Sequence, residues 1–327
     1  MKSTILVGGQ AVIEGVMMRV PGAYATAVRK SNGELAIDYH KFNSKVTSNY
    51  FYGLPIIRGM IHLYESMSIG YKTLDWSANI AEPDQKTNKL LDRLLSIVSL
   101  LFSLGLFVGL PILAADFVQH LLGDKNTFMF NLISGLVRIF IFLTYLVLIS
   151  FMKDIKRLFQ FHGAEHKTVY NFESGKPLLI ENAKQFSKEH PRCGTSFIFI
   201  VMLVSIVSYG IIDSLVVNMG VNLTVINRFL IHIPCLPIVA GFSYEVLKIS
   251  AKYQHYFFFK ILGFPGLMLQ KITTQTPDDS QLEVAINALK HAFGNDLKKY
   301  EGKNMKVKNL MLRQLDKNDR KIKKNYS

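Results

Sequence analysis

His162-Gly163-Ala164-Glu165-His166 is the stretch of this chain best equipped for chemistry. On a helix, two imidazoles four residues apart sit one above the other and can grip a single metal ion. The glutamate beside the second histidine offers a carboxylate to take a proton from water that the ion polarises. The chain has nine histidines among 327 residues, so about 0.2 His-x-x-x-His pairs would arise by chance. Requiring glutamate just before the second histidine lowers that expectation to about 0.01, which favours a purpose.

The pentapeptide matches the His-x-x-Glu-His pattern of inverted zinc peptidases. In that pattern two histidines hold zinc, the glutamate is the general base and a remote acid completes the site. Carried onto this chain, His162 and His166 are ligands, Glu165 is the catalytic base, and the cofactor is a divalent metal, zinc first. The third ligand must come from elsewhere, and two arrangements compete. At 100° per residue Glu173 lies about 20–40° from both histidines, on the same helical stripe. An open site of His162, His166 and Glu173 with water would be catalytic. A closed site of His162, His166, His190 and Cys193 would be structural, pinning a loop together. Glu14, between Gly8-Gly9 and Gly15 in a mostly apolar strand, is a further candidate ligand, because burial would be costly unless it met a metal or an arginine. Arg19 and Arg192 are each an anion clamp or an ordinary salt-bridge partner. The alternative to any metal is a polar loop whose histidines bond backbone carbonyls. The Gly-Gly start lacks a phosphate-loop lysine and a strand–helix context, which argues against nucleotide binding.

What must position these residues is a membrane bundle. Apolar residues collect into four runs, Leu94–Val118, Phe130–Met152, Phe197–Val217 and Ile226–Ile249. Each is near or above the ~20 residues needed to cross ~30 Å of hydrocarbon. Lysine and arginine number eleven in residues 1–93, eight in 153–196 and fifteen in 249–327, while the loop at 119–129 has only Lys125 and that at 218–225 none. By the positive-inside rule both termini and the central loop face the cytoplasm. The formal charge of +14 is therefore mainly a topology signal; it also favours anionic lipid headgroups or RNA, without any specific nucleic-acid sequence. Met1–Gly53 holds no sustained apolar stretch, so no secretory signal is expected. Cys193 and Cys235 are not expected to form a disulfide.

Outside the spans the pattern changes. Ala23–Lys30 and Glu34–His40 alternate around Ser31-Asn32-Gly33, a hairpin signal. Ile5–Val7 and Ala11–Met18 flank Gly8-Gly9, where a bulge or close backbone approach is expected. Leu54–Leu74 reads as an amphipathic helix at the bilayer surface or against the bundle, and Ala81–Lys89 as a polar linker. After the second span the helical pattern continues through the histidines and stops at Ser174-Gly175-Lys176-Pro177. Glu181–Glu189 is expected as a short helix. His255–Leu269, interrupted by Gly263-Phe264-Pro265-Gly266, fits a re-entrant or interfacial segment. Thr276-Pro277-Asp278-Asp279 opens a helix, with the Thr276 hydroxyl as cap, proline in the first turn and acids at the positive dipole end, and with Leu282, Ala285, Leu289 and Phe293 on its apolar face. Within the spans, Arg138, Arg228 and His232 are expected to meet Asp116 and Asp213 in an ion-pair cluster, Pro234, Pro237 and Gly241 to break the fourth helix, and Glu245 to face the histidine loop.

The expected fold is an α-helical multipass membrane protein with four spans, a small cytoplasmic N-terminal β-element and a C-terminal cytoplasmic amphipathic helix. Its parts are a β-hairpin element at 1–53, an interfacial helix and linker at 54–93, the bundle at 94–249 with its motif loop at 153–196, an interfacial segment and helix at 250–295, and a basic tail at 296–327. Four blocks also carry a resemblance: GGQAVIEGVMMR from Gly8, FHGAEHKTVYNFE from Phe161, HPRCGTSF from His190 and PDDSQLEVAINAL from Pro277. Together they resemble the YqhQ-like family of bacterial multipass membrane proteins, a family of unknown function often labelled as a predicted metal-dependent enzyme. The resemblance runs from about residue 5 to residue 295 and implies a bacterial plasma-membrane protein. Two functions follow as expectations. One is a metal-dependent hydrolase acting on a lipid-linked or membrane-protein substrate. The other is a non-enzymatic scaffold or assembly factor whose basic surface docks on membrane lipid, a membrane complex or the ribosome. A homo-oligomer is compatible with both.

Overall fold

The structure, a computed structural model, describes residues 7–83, 89–123, 126–190, 193–253, 256–300 and 302–303. Strands β1 (Gly8–Val12), β2 (Gly15–Val20), β3 (Ala23–Arg29) and β4 (Leu35–Lys41) form an antiparallel meander in chain order. The Asn32-Gly33 hairpin forms as its residues require: Gly33 takes φ +86° and the Asn32 side chain accepts from the Glu34 amide at 3.0 Å. Gly8 and Gly9 lie inside β1 rather than between strands. The expected strand at Ala11–Met18 is split by a two-residue turn at Ile13-Glu14, where Glu14 takes φ 51°. Alternation gives the sheet two faces. Val16, Met18 and Val20 join the main core, while Met17 and Tyr24 pack with Ile69 on the other side.

Helix α1 (Ile57–Ala81) covers that second face and is longer than expected. The first span is α2 (Lys89–Leu104), a π-helical turn at Gly105–Gly109 and α3 (Leu110–Leu122). The π turn leaves the Phe107 carbonyl to accept from Arg138 Nε at 3.0 Å. The second span is α4 (Thr127–Ser150). A break at Phe151-Met152 then starts a new helix, α5 (Lys153–Ser174), which the left-handed Gly175 terminates. The expected helix at Glu181–Glu189 shortens to α6 (Ile180–Lys184). The third and fourth spans are α7 (Gly194–Asn218) and α8 (Val225–Lys252). Pro234 and Pro237 do not break α8, and Gly241 serves close packing: a Cβ there would lie 2.6 Å from the Ile56 carbonyl of the chain entering α1. The apolar segment after it is one helix, α9 (Phe257–Thr273), running through Pro265 without interruption. Asp278, not Thr276, caps α10 (Asp279–Phe293), in a capping box with Gln281.

Four helical segments are long and apolar enough to cross a membrane: Arg93–Leu122, Thr127–Ser150, Phe197–Asn218 and Val225–Ser250. Their outward side chains suit hydrocarbon; Leu101, Phe117 and Phe140 are each at least 63% exposed. Among the polar residues inside, Asp213 accepts from Asn131 Nδ2 and His232 Nε2, each at 2.8 Å, and pairs with Arg228. Arg138 is elsewhere, reaching the Phe107 carbonyl and Ser205. The sheet, α5 and α10 pack into one core built on Met18, Phe161, Phe172, Leu282 and Leu289. Because the chain enters this unit before the first span, between the second and third, and after the fourth, all its pieces lie at one end of the bundle.

Candidate metal centre

Helix α5 is buried along most of its length from Phe161 to Glu173, because α10, β1, α6 and β2 pack against it. Gly163 lets the chain after α9 lie against the helix: a Cβ there would sit 2.1 Å from the Gln275 carbonyl oxygen. The Gln275 amide donates to the Phe159 carbonyl at 2.8 Å, which fixes the end of α9 over the histidines.

His162 and His166 face the same space, with ring centroids 4.5 Å apart. His162 Nδ1 lies 2.8 Å from the Thr273 carbonyl, and His166 Nδ1 lies 2.5 Å from that of Lys188. A carbonyl only accepts, so each Nδ1 carries the proton and each Nε2 presents a lone pair. Cys193 Sγ lies 3.2 Å from His162 Nε2, with the Thr195 hydroxyl donating to the sulfur at 3.2 Å. One donor atom each from His162, His166 and Cys193 falls within 4.8 Å of the others. A tetrahedral zinc separates nitrogen and sulfur ligands by roughly 3.5 Å, so the spacing fits. Backbone carbonyls holding the outer ring nitrogens are the orientation that metal-binding histidines use. The donor set and its tautomers therefore fit a divalent ion.

Glu165 Oε2 lies 3.4 Å from His166 Nε2, at the edge of the group. Gly9 makes room for this side chain, since a Cβ on Gly9 would come within 2.8 Å of Glu165 Cγ. A cavity of about 500 Å³ opens beside the cluster, lined by Gly8–Ala11, His162, Glu165, His166, Cys193 and Ile198 among others. Burial pulls both His166 and His190 below the ordinary histidine range, His190 down to about 4, so both rings are neutral at pH 7.

The remaining sequence candidates sit around this group rather than in it. The His190 ring lies tilted against those of Tyr170 and His166, with centroids 4.4 Å and 5.6 Å away, and its Nε2 is 3.7 Å from Glu173 Oε2. Glu173 shares the histidine stripe by angle, but seven residues beyond His166 place it about 10 Å farther along the axis. Glu14 pairs with Arg157 through both carboxylate oxygens, outside the cluster. Arg192 falls outside the described residues. Glu245 does not face the histidine loop; it pairs with Arg58.

Sequence reasoning missed the residues that hold the loop. Gln270 of α9 is fully buried and clamps the His190 backbone, accepting from its amide at 2.6 Å and donating to its carbonyl at 2.9 Å. Lys188 Nζ donates to the Thr274 carbonyl at 2.7 Å, and Lys167 Nζ to the Lys184 and Phe186 carbonyls. The one signal was Gln270 itself, an amide at the end of the apolar run Gly266–Leu269.

The comparisons with known proteins cover this region. A family model described as "Protein of unknown function (DUF1385)" matches residues 54–295. The "Uncharacterized protein YqhQ" of Bacillus subtilis (strain 168) is 34% identical over 298 residues, covering 86% of this chain and 90% of that protein. No solved structure matches. With the match extending from before α1 through α10, the chain belongs to the DUF1385 family, the family of YqhQ.

Proposed function

We propose that this protein holds one divalent metal ion, zinc, at the cytoplasmic face of the bacterial plasma membrane and hydrolyses a lipid-linked or membrane-protein substrate there. The convergence of His162, His166 and Cys193 donor atoms within 4.8 Å carries the reading. Zinc in such a site supplies Lewis acidity and makes water a nucleophile near neutral pH. His162 and His166 hold their Nε2 lone pairs toward the cluster because the Thr273 and Lys188 carbonyls fix the rings. Glu165, which lines the adjoining cavity 3.4 Å from His166 Nε2, would accept the proton from water. Among the described residues three protein donors converge, and an ion held by them would keep a position for water, the pattern of catalytic rather than structural zinc. The weight of lysine and arginine at 1–93, 153–196 and 249–327 supports a cytoplasmic placement for this end and for both termini.

A second reading, a non-enzymatic scaffold, is favoured by the carbonyl partners of both histidines, which tie α5 to the end of α9 and to the Lys188 loop without an ion. Elemental analysis of detergent-purified protein separates the two. We expect about one zinc per chain, lost in His162→Ala/His166→Ala. Glu165→Gln is expected to keep the metal and fail to complement a deletion strain. Metal-free wild-type protein would support the scaffold, and full complementation by Glu165→Gln would remove the hydrolytic role.

A further inference from the structure

On the opposite face of the sheet lies a second cavity, about 680 Å³, between the strands, α1 and the inner part of α8. Arg19, Phe42, Ser44, His62 and Tyr244 line it. The Arg19 guanidinium rests over the Phe42 ring, 4.4 Å from its centroid, which sets the plane of its donors. Its nearest carboxylate, Glu65, is 4.0 Å away, beyond hydrogen-bond distance. Glu65 is already engaged, accepting from Ser44 Oγ at 2.8 Å and the Lys45 amide at 2.7 Å. Among the described residues no hydrogen bond occupies any of the five N–H donors of Arg19. A stacked guanidinium with an open fork facing a cavity is a receptor for a planar or tetrahedral oxyanion.

The charges around it allow an anion. Arg19, Arg58 and Lys248 are the cations near His62, against Glu65 and Glu245. Arg58 and Glu245 are paired, so the surroundings carry one net positive charge. His62 lies with its ring 5.3 Å from that of Tyr244, and burial lowers its pKa, so it stands as a neutral donor or acceptor. Tyr244 is six residues, about 9 Å, from the end of the fourth span at Ser250. The opening therefore lies near the inner end of that span, within reach of lipid headgroups. Tyr50, Phe51 and Tyr52, each at least 38% exposed just ahead of α1, are the side chains that favour that depth.

We infer that this cavity binds the phosphate group of an anionic phospholipid, with Arg19 as its bidentate partner. The site does not depend on the metal centre, although the Gly8–Gln10 backbone forms a wall of both cavities. The test uses the detergent-solubilised full chain and equilibrium dialysis with radiolabelled dihexanoylphosphatidylglycerol below its micelle concentration, with labelled inorganic phosphate as a second arm. Expected is saturable lipid binding, weakened at least tenfold by Arg19→Gln, weakened less by Arg19→Lys, and unchanged by Lys72→Gln on the exposed side of α1. Inorganic phosphate binding without lipid binding would overturn the lipid as source. Failure of the wild type to bind either ligand would overturn the site, as would undiminished binding by a folded Arg19→Gln. Should Arg19→Gln not fold, Arg19→Lys decides: it keeps the charge and loses the fork, so unchanged lipid affinity would overturn the bidentate role.

Discussion

A carboxylate with no exposure inside an apolar bundle is tolerable only where neighbours replace the water it has lost. Asp213 is fully buried, and Asn131, Arg228 and His232 supply that replacement. The stacking of Arg228 on Phe130 and of His232 on Tyr209 fixes the partners in turn. Removing the charge strands Arg228, whose own side chain is 7% exposed. Asp213→Asn is therefore expected to destabilise the protein by about 3 kcal/mol, seen as a lowered midpoint of thermal unfolding in detergent. An unchanged midpoint would show that the cluster contributes little. Glu14 differs: its carboxylate keeps 28% of its exposure while it pairs with Arg157, so water still shares in its solvation.

At the scale of elements, α10 links the sheet to α5, the helix that carries His162 and His166. Leu282, Val284, Ala285, Ile286, Ala288 and Leu289 are all buried, wider than the single apolar stripe that the sequence pattern marks, because the helix is sandwiched between β2, β3 and α5. Its start depends on Asp278, whose carboxylate accepts from the Gln281 amide at 2.9 Å while Gln281 Oε1 accepts from the Asp278 amide at 3.0 Å. Asp278→Ala should cost about 1 kcal/mol and speed hydrogen exchange selectively in the first turn of α10. Leu289→Ala, which opens a cavity in the shared core, should cost about 2–5 kcal/mol and speed exchange in the sheet as well. Equal, local effects from both would mean that α10 does not brace the sheet.

For the molecule as a whole, orientation in the membrane carries the functional reading, because the His162–His166–Cys193 cluster, the sheet and α10 share one end of the bundle. Single cysteines in a chain lacking Cys193 and Cys235 report on this. Asn222→Cys, in the short exposed connection between α7 and α8, is expected to react with a membrane-impermeant maleimide in intact cells. Ser31→Cys, in the exposed β3–β4 turn, should react only after lysis. The reverse pattern would move the site to the outside and remove any cytoplasmic substrate.

Sequence alone determined what depends on local order and on water. Hydrophobic runs defined the four helices long and apolar enough to cross a membrane, since transfer into hydrocarbon sums over consecutive residues. The Asn-Gly turn defined a hairpin, and the His-x-x-Glu-His spacing placed two rings on one helical face. Tertiary structure decided what depends on approach between distant segments. That Glu173 meets His190 rather than the His162–His166 pair follows from how the loop folds back on α5. Cys193 reaches His162 because Gln270 and Lys188 anchor the intervening loop to α9. Pro234 and Pro237 looked like breaks, yet α8 runs through them while packed against α1 and α7. Periodicity reports which face a residue occupies; only packing reports which partner stands opposite.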